Sequence, residues 1–90
     1  YLSNINVGYF PVKVSEVYGG IFCENSKLNS LINFPNTVWG SINISNNELT
    51  TLKYLPTVIS GCLDMSENNF CNVEEEIKTY VKYVEREIIK

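Results

Sequence analysis

The sequence predicts a small α/β solenoid, that is, a stack of three to four short coils with parallel strands on the concave face and a helix at the C-terminal end. Two observations support this fold class. Apolar residues recur at an interval of 21 residues over most of the chain, and the interval changes to that of a helix after Phe70. Ninety residues are enough for one domain with a single core.

The repeat is clearest in the stretch "SINISNNELTTLKYLP", residues 41–56. Its apolar positions align with apolar residues 21 positions earlier and later: Ile42 with Ile21 and Leu63, Ile44 with Leu2, Cys23 and Met65, Leu49 with Val7, Leu28 and Phe70, and Leu52 with Phe10, Leu31 and Val73. Two further columns contain Val17, Val38 and Ile59, and Gly19, Gly40 and Gly61. A coil of this length is too thin to bury its own apolar face, so the coils must stack.

Each part of the repeat has an expected local structure. Alternating Ile42 and Ile44 predict a short strand with one buried face. We expect Asn47 to be buried in the turn that follows, where its amide can satisfy backbone groups, and Asn46 to face solvent. The leucines after this turn cross back over the core, and Pro56 ends the segment.

The spacing resembles the leucine-rich repeat, and in particular its short bacterial and phage form. The template L-x-x-L-x-L-x-x-N-x-L fits residues 39–49 and 60–70, and the best-matching stretches are "VYGGIFCENSKLNSL", "VWGSINISNNELTTLKYLP" and "VISGCLDMSENNF". The resemblance covers residues 5–73. Ser26 and Ile5 replace the asparagine of the turn, so we expect the first coils to be irregular. The resemblance implies a recognition scaffold and does not specify a partner.

Residues 74–90 are predicted to form an amphipathic cap helix after a solenoid of residues 1–73. Apolar residues of the segment fall on one helical stripe: Val73, Ile77, Tyr80, Val81, Val84 and Ile88. Asn72 followed by Glu75 suggests a capping box. The simplest role is to shield the last coil, and an acidic helix that mimics DNA or docks on a basic protein is the sharper alternative.

The N-terminal end, residues 1–20, is harder to interpret. It would form either a degenerate first coil that covers the end of the stack or an open edge, and an open edge would allow a homodimer through this end. The chain starts at Tyr1 with neither an initiator methionine nor a basic and apolar leader, so we expect a processed start without a targeting signal.

Composition and charge exclude several classes of function. Net charge is −3 and residues 64–90 hold seven acids against four bases, so the basic footprint of a nucleic-acid binder is absent. No apolar run is long enough to span a membrane. Histidine, the usual base at neutral pH, is absent, so we expect no catalysis and no cofactor. The three widely spaced cysteines form neither a metal pair nor a disulfide framework, so we expect no metal and a cytoplasmic location.

The predicted partner-binding residues point outward from the strands. If Ile42 and Ile44 face inward, the concave face carries Phe22, Glu24, Asn43, Ser45, Asp64 and Ser66. Phe22 would be either an interface anchor or the partner of Tyr1 in a cross-strand aromatic pair. Trp39 would either fill a groove between coils or anchor a partner.

These expectations favour a non-catalytic protein-binding module. Resemblance to phage repeats implies a phage or bacterial accessory protein in the host cytosol that binds, and inhibits, a host factor such as a defence or nucleic-acid enzyme. The alternative is a recognition domain or structural subunit cut from a larger protein, such as a ubiquitin-ligase-type effector, which the absence of an initiator methionine slightly favours.

Overall fold

A computed structural model describes residues 15–90 of the chain. In that range the protein is α/β, with parallel strands in two sheets and one short helix. The first sheet contains β1 (Glu16–Val17), β3 (Thr37–Val38) and β5 (Val58–Ile59). The second sheet contains β2 (Ile21–Phe22), β4 (Ile42–Asn43), β6 (Leu63–Asp64) and β7 (Ile88–Ile89), and helix α1 (Val73–Tyr80) lies between β6 and β7 in sequence.

Strand pairing follows the 21-residue interval of the sequence. In the second sheet, Ile42 pairs in parallel with Ile21 on one side and with Leu63 on the other. The first sheet has the same register from β1 to β3 to β5. The chain therefore passes through both sheets once per repeat, and the predicted alignment of apolar positions is confirmed for these strands.

The inward-facing side chains of successive repeats form one apolar core. Along β4, Ile42 is buried and the next residue, Asn43, is partly exposed, as the alternation of a strand requires. Fourteen apolar side chains of the described range are buried: Ile21, Cys23, Leu28, Leu31, Phe34, Val38, Ile42, Ile44, Leu49, Leu52, Leu55, Ile59, Leu63 and Met65. Because each repeat contributes only a few of them, the core exists only in the stack.

The glycine column lets successive repeats approach closely at the corner between the sheets. A Cβ atom on Gly40 would lie 2.6 Å from the carbonyl carbon of Gly19 and 2.7 Å from its oxygen. Gly61 is in the same position one repeat later, where a Cβ atom would lie 2.7 Å from the carbonyl carbon of Gly40. A side chain at either position would push the backbones of neighbouring repeats apart.

The C-terminal segment differs from the predicted cap helix of residues 74–90. The helix begins as expected, with Asn72 as N-cap accepting a hydrogen bond from the backbone N–H of Glu75, but it ends at Tyr80. Val84 then forms a parallel bridge with Ile59, and β7 pairs with β6 in the second sheet. The prediction of a helix is therefore wrong for residues 81–90, which complete a further repeat.

Residue type and the open edges of the sheets together account for this change. The segment is rich in β-branched residues, which lose rotamer freedom in a helix and pack well on a pleated surface. The edges of β5 and β6 also present backbone groups that need partners. The segment supplies them, because the N–H of Leu63 donates to the carbonyl of Glu87 and the N–H of Met65 to that of Ile89, both at 2.9 Å.

The predictions for the N-terminal coil fall mostly outside the described residues. Residues 1–14 include Tyr1, the predicted partner of Phe22, and most of the end through which a homodimer was expected. The described remainder of this coil contains β1 and the turn at Gly19, whose φ of 114° is one that glycine adopts readily. Over residues 15–90, no helix has the length and apolar character needed to cross a lipid bilayer.

Candidate protein-binding surface

The outer face of the second sheet carries a row of aligned side chains. Phe22, Asn43, Asp64 and Ile89 occupy successive strands in direct register. Phe22, Asn43 and Asp64 are partly exposed and Ile89 is exposed. Three of the predicted binding residues thus lie side by side, and sequence reasoning missed Ile89 because it treated residues 81–90 as helix. We call these four residues the central row.

The two polar members of the central row are held by the turn that follows each strand. Asn43 Oδ1 accepts hydrogen bonds from the backbone N–H of Ser45 at 3.0 Å and from its hydroxyl at 2.7 Å. Asp64 Oδ1 accepts the same pair from Ser66, at 3.1 and 2.8 Å. These bonds fix the orientation of both side chains.

The predicted residues that flank the row are not equivalent. Ser45, which was expected to point outward, is only 7% exposed, and its hydroxyl donates to Asn43. Ser66 and Glu24 remain partly exposed. The backbone carbonyl of Ser45 accepts a hydrogen bond from Asn47 Nδ2 at 3.1 Å.

Asn47 connects two repeats beneath this face. Its Oδ1 accepts from the backbone N–H groups of Ser26 and Leu28 at 3.0 and 2.9 Å. Its Nδ2 donates to the carbonyl groups of Cys23, Ile44 and Ser45. Asn68 repeats the arrangement one coil later, accepting from Leu49. The predicted burial of Asn47 in the turn is confirmed.

Phe22 is partly buried, and its ring lies against Gly20 at the start of its own strand. A Cβ atom on Gly20 would lie 2.6 and 2.7 Å from two carbon atoms of the Phe22 ring. Gly20 therefore makes room for the ring. The ring remains partly exposed at one end of the central row.

Trp39 lies away from the central row, on the outer face of the first sheet. It is 48% exposed, so it does not fill a buried groove between coils. Its indole N–H donates to Glu16 Oε2 at 2.6 Å, and the hydroxyl of Tyr18 donates to the other oxygen of Glu16 at 3.1 Å. The carboxylate raises the pKa of Tyr18 by accepting this hydrogen bond and by its charge, so the hydroxyl stays a donor.

Sequence reasoning overlooked Glu16, although a signal for it existed. The 21-residue register places Glu16 beside Thr37, and Trp39 is two residues further along the same strand direction. Diagonal neighbours on adjacent strands are within reach of a long side chain and an aromatic ring. The 21-residue register was therefore enough to predict the contact between Glu16 and Trp39.

A second feature missed at the sequence level is a shallow groove of about 390 Å³ along the turns that follow the second sheet. It is lined by Asn25, Lys27, Asn46, Asn47, Glu48 and Glu67. Asn25, Asn46 and Glu67 have φ values of 57°, 54° and 57°, so each of these turns has a left-handed residue at the same aligned position. The available signal was the asparagine at two of these three aligned positions.

The three cysteines lie in different environments. Burial raises the pKa of the Cys23 thiol from 9.0 to about 11, which keeps it protonated and unreactive at neutral pH. Cys62 is partly exposed and Cys71 is exposed. Over residues 15–90, no cluster of three or more histidine, cysteine or acidic side chains could hold a metal ion.

Comparisons with protein-family models, curated proteins and solved structures found no match for this chain.

Proposed function

We propose that the chain is a leucine-rich-repeat solenoid of the short bacterial and phage type and that it acts as a non-catalytic protein-binding module. Three features support this identification: parallel pairing at 21-residue intervals, buried leucines in the return segments, and a ladder of turn asparagines at Asn47 and Asn68. Solenoids of this kind present extended surfaces that suit recognition of another protein.

The observation that carries the proposal is the central row. Phe22 and Ile89 provide apolar contact area at the two ends, and Asn43 and Asp64 provide fixed polar groups between them. An apolar contact combined with oriented polar groups is typical of protein interfaces, where a few residues contribute most of the binding energy. We place the recognition surface on this row with Glu24 and Ser66 at its edge.

The proposed partner is a host protein in the cytosol, and binding inhibits it. The rigid turns behind Asn43 and Asp64 suit a preformed surface that binds without rearrangement. Inhibition requires only that the bound module covers a functional surface of its target, so the module itself needs no catalytic group.

Site-specific photo-crosslinking can test the surface and capture the partner in one experiment. A benzophenone amino acid replaces Asn43, and a second variant carries it at Tyr54, which is half exposed and belongs to a return segment outside both sheets. After irradiation in cells that express each variant, we expect one protein to be linked through position 43 and not through position 54.

Mass spectrometry then identifies the linked protein. Crosslinking of the same protein at equal yield from position 54, or only from position 54, would show that the central row is not the binding surface. Denaturing gels detect the adduct, and circular dichroism confirms that both variants fold.

A further inference from the structure

The outer face of the first sheet carries exposed aromatic side chains that the proposed function does not use. Tyr18 is 80% exposed, Trp39 is 48% exposed and Tyr83 is 50% exposed. Tyr18 and Trp39 occupy neighbouring strands at equivalent positions, one residue after the paired Val17 and Val38. Two exposed rings on adjacent strands form an apolar surface next to the carboxylate that both of them contact.

Glu16 organises this surface. Its two oxygen atoms accept separate hydrogen bonds, one from the Trp39 indole and one from the Tyr18 hydroxyl. Both donors lie at ring edges, so the bonds hold these edges toward the carboxylate while each side chain keeps a large exposed area. The result is a negative charge fixed beside two aromatic rings, which we call the aromatic–carboxylate cluster.

The charge on this face is of one sign. Within residues 15–90, the outward positions of the first sheet and its bridging segment carry two acids and no base: Glu16, Tyr18, Thr37, Trp39, Val58, Ser60, Tyr83 and Glu85. Among the described residues, the bases nearest in sequence to Tyr83 and Glu85 lie outside these positions, where Lys82 donates to the carbonyl of Thr79 and Arg86 follows at the corner between the sheets. Lys13, three residues before Glu16, lies outside the described residues. A complementary occupant must therefore be cationic.

We propose that the aromatic–carboxylate cluster binds an arginine side chain in a basic segment of a partner protein. A guanidinium group is planar, stacks on tryptophan and tyrosine faces, and can donate to a carboxylate from its edge. The cluster offers both kinds of contact at one place. This surface differs from the central row, and the inference does not depend on the function proposed for that row.

Other occupants fit the cluster less well. An acidic or purely apolar segment would remove water from Glu16 without supplying a positive charge, which is unfavourable. A second copy of the chain joined through the same face in a two-fold dimer would bring Glu16 and Glu85 toward identical acids. A basic segment avoids both costs.

Trp39 provides a direct test because it is the one tryptophan of the chain. A ten-residue peptide of alternating arginine and glycine is titrated against the full chain while the emission of Trp39 is recorded. We expect saturable binding that is about two- to fivefold weaker in Tyr18→Leu, as for loss of an exposed cation–π contact, and weaker by a similar factor in Glu16→Gln, which removes an exposed ion pair. Equivalent peptides with lysine or glutamate in place of arginine should bind more weakly or not at all.

Two matched variants separate a local site from general attraction to an acidic protein. Glu48→Gln removes an exposed acid from the turn groove, and Tyr54→Leu removes a half-exposed tyrosine whose ring already lies 5.3 Å from Lys53 Nζ. Both should leave binding of the arginine peptide unchanged.

The proposal is overturned if Glu48→Gln weakens binding as much as Glu16→Gln, or if the lysine peptide binds as tightly as the arginine peptide. Sedimentation velocity tests whether a second copy of the chain occupies this face. If the native chain is a dimer that Tyr18→Leu dissociates, and if the emission of Trp39 does not respond to the peptide, the face is a dimer interface and the proposal is wrong. Asp64→Asn should change the crosslinking of the partner through position 43 and leave the affinity for the arginine peptide unchanged. The two proposals can therefore fail independently of each other.

Discussion

Asn46 and Asn47 show how two adjacent residues of one type can have different structural roles. Asn47 is buried and its amide bonds with five backbone groups in two repeats. Asn46 is exposed and has a φ of 54°, in the left-handed region that asparagine tolerates better than most residues. Asn47 stabilises the stack through hydrogen bonds, whereas Asn46 stabilises the turn through its backbone conformation.

Substitutions at the two positions should therefore behave differently. Asn47→Ala leaves several buried backbone groups without partners, and we expect the free energy of unfolding to fall by about 3 kcal/mol. Asn46→Ala should cost about 1–2 kcal/mol through its left-handed backbone. Asn46→Gly is the matched control and should cost much less, because glycine adopts this conformation readily.

Urea denaturation monitored by circular dichroism measures all three variants. If Asn46→Gly is as destabilising as Asn46→Ala, the backbone explanation for Asn46 fails. If Asn47→Ala has native stability, the hydrogen bonds of Asn47 do not stabilise the stacked repeats.

At the scale of elements, α1 packs Val73, Ile77 and Tyr80 against the core, and the carboxylate of Glu76 adds hydrogen bonds to the preceding repeat. Glu76 Oε1 accepts from the hydroxyl of Thr51 at 2.9 Å and from the backbone N–H of Leu52 at 2.8 Å. Its neighbours Glu74 and Glu75 are exposed at the helix N-terminus, where acids interact favourably with the helix dipole. Three consecutive glutamates thus include one that connects repeats.

The free energy of unfolding should distinguish these glutamates. Glu76→Ala leaves the Leu52 N–H without its partner, and we expect a loss of about 1.5–3 kcal/mol, the range for a hydrogen bond to a charged group. Glu75→Ala removes an equal charge from the same helical turn and should cost less than about 1 kcal/mol. Equal losses in urea titrations would mean that helix electrostatics, and not the contact with Leu52, determines the effect.

An element could be predicted from the sequence where its residue pattern fits only one type of secondary structure. The column of Ile21, Ile42 and Leu63 could be predicted because a 21-residue interval fits stacked strands and little else. The spacing of Val81, Val84 and Ile88 fits a helical stripe, yet Val84 and Ile88 also suit strands. Pairing with the open edges of β5 and β6 favoured strands over a helix in residues 81–90. This pairing is a tertiary interaction, so it cannot be read from the local spacing of apolar residues.

The candidate site was predictable to a similar degree. Strand alternation correctly placed Phe22, Asn43 and Asp64 on one face. It failed at Ser45, one residue beyond the end of regular alternation, where the turn bends inward. Alternation alone did not reveal the contact between Glu16 and Trp39, because this contact joins neighbouring strands and also requires the 21-residue register.

At the scale of the whole molecule, the two sheets present different surfaces from one stack. The first sheet carries the aromatic–carboxylate cluster, and the second carries the central row with its fixed amide and carboxylate. Outward residues contribute little to the core, so both surfaces can vary without loss of the fold. A stack of this kind separates the residues that specify the structure from those available for recognition.

The affinity of the crosslinked partner for variants of the central row tests this separation most directly. Calorimetry compares the native chain with Phe22→Ala, Asp64→Ala and the control Tyr54→Ala, after circular dichroism has confirmed that each variant folds. We expect Phe22→Ala to weaken binding by about 2 kcal/mol or more, the size of an interface hot spot, and Tyr54→Ala to leave it unchanged. Full affinity in both Phe22→Ala and Asp64→Ala would contradict the assignment of recognition to the outer face of the second sheet.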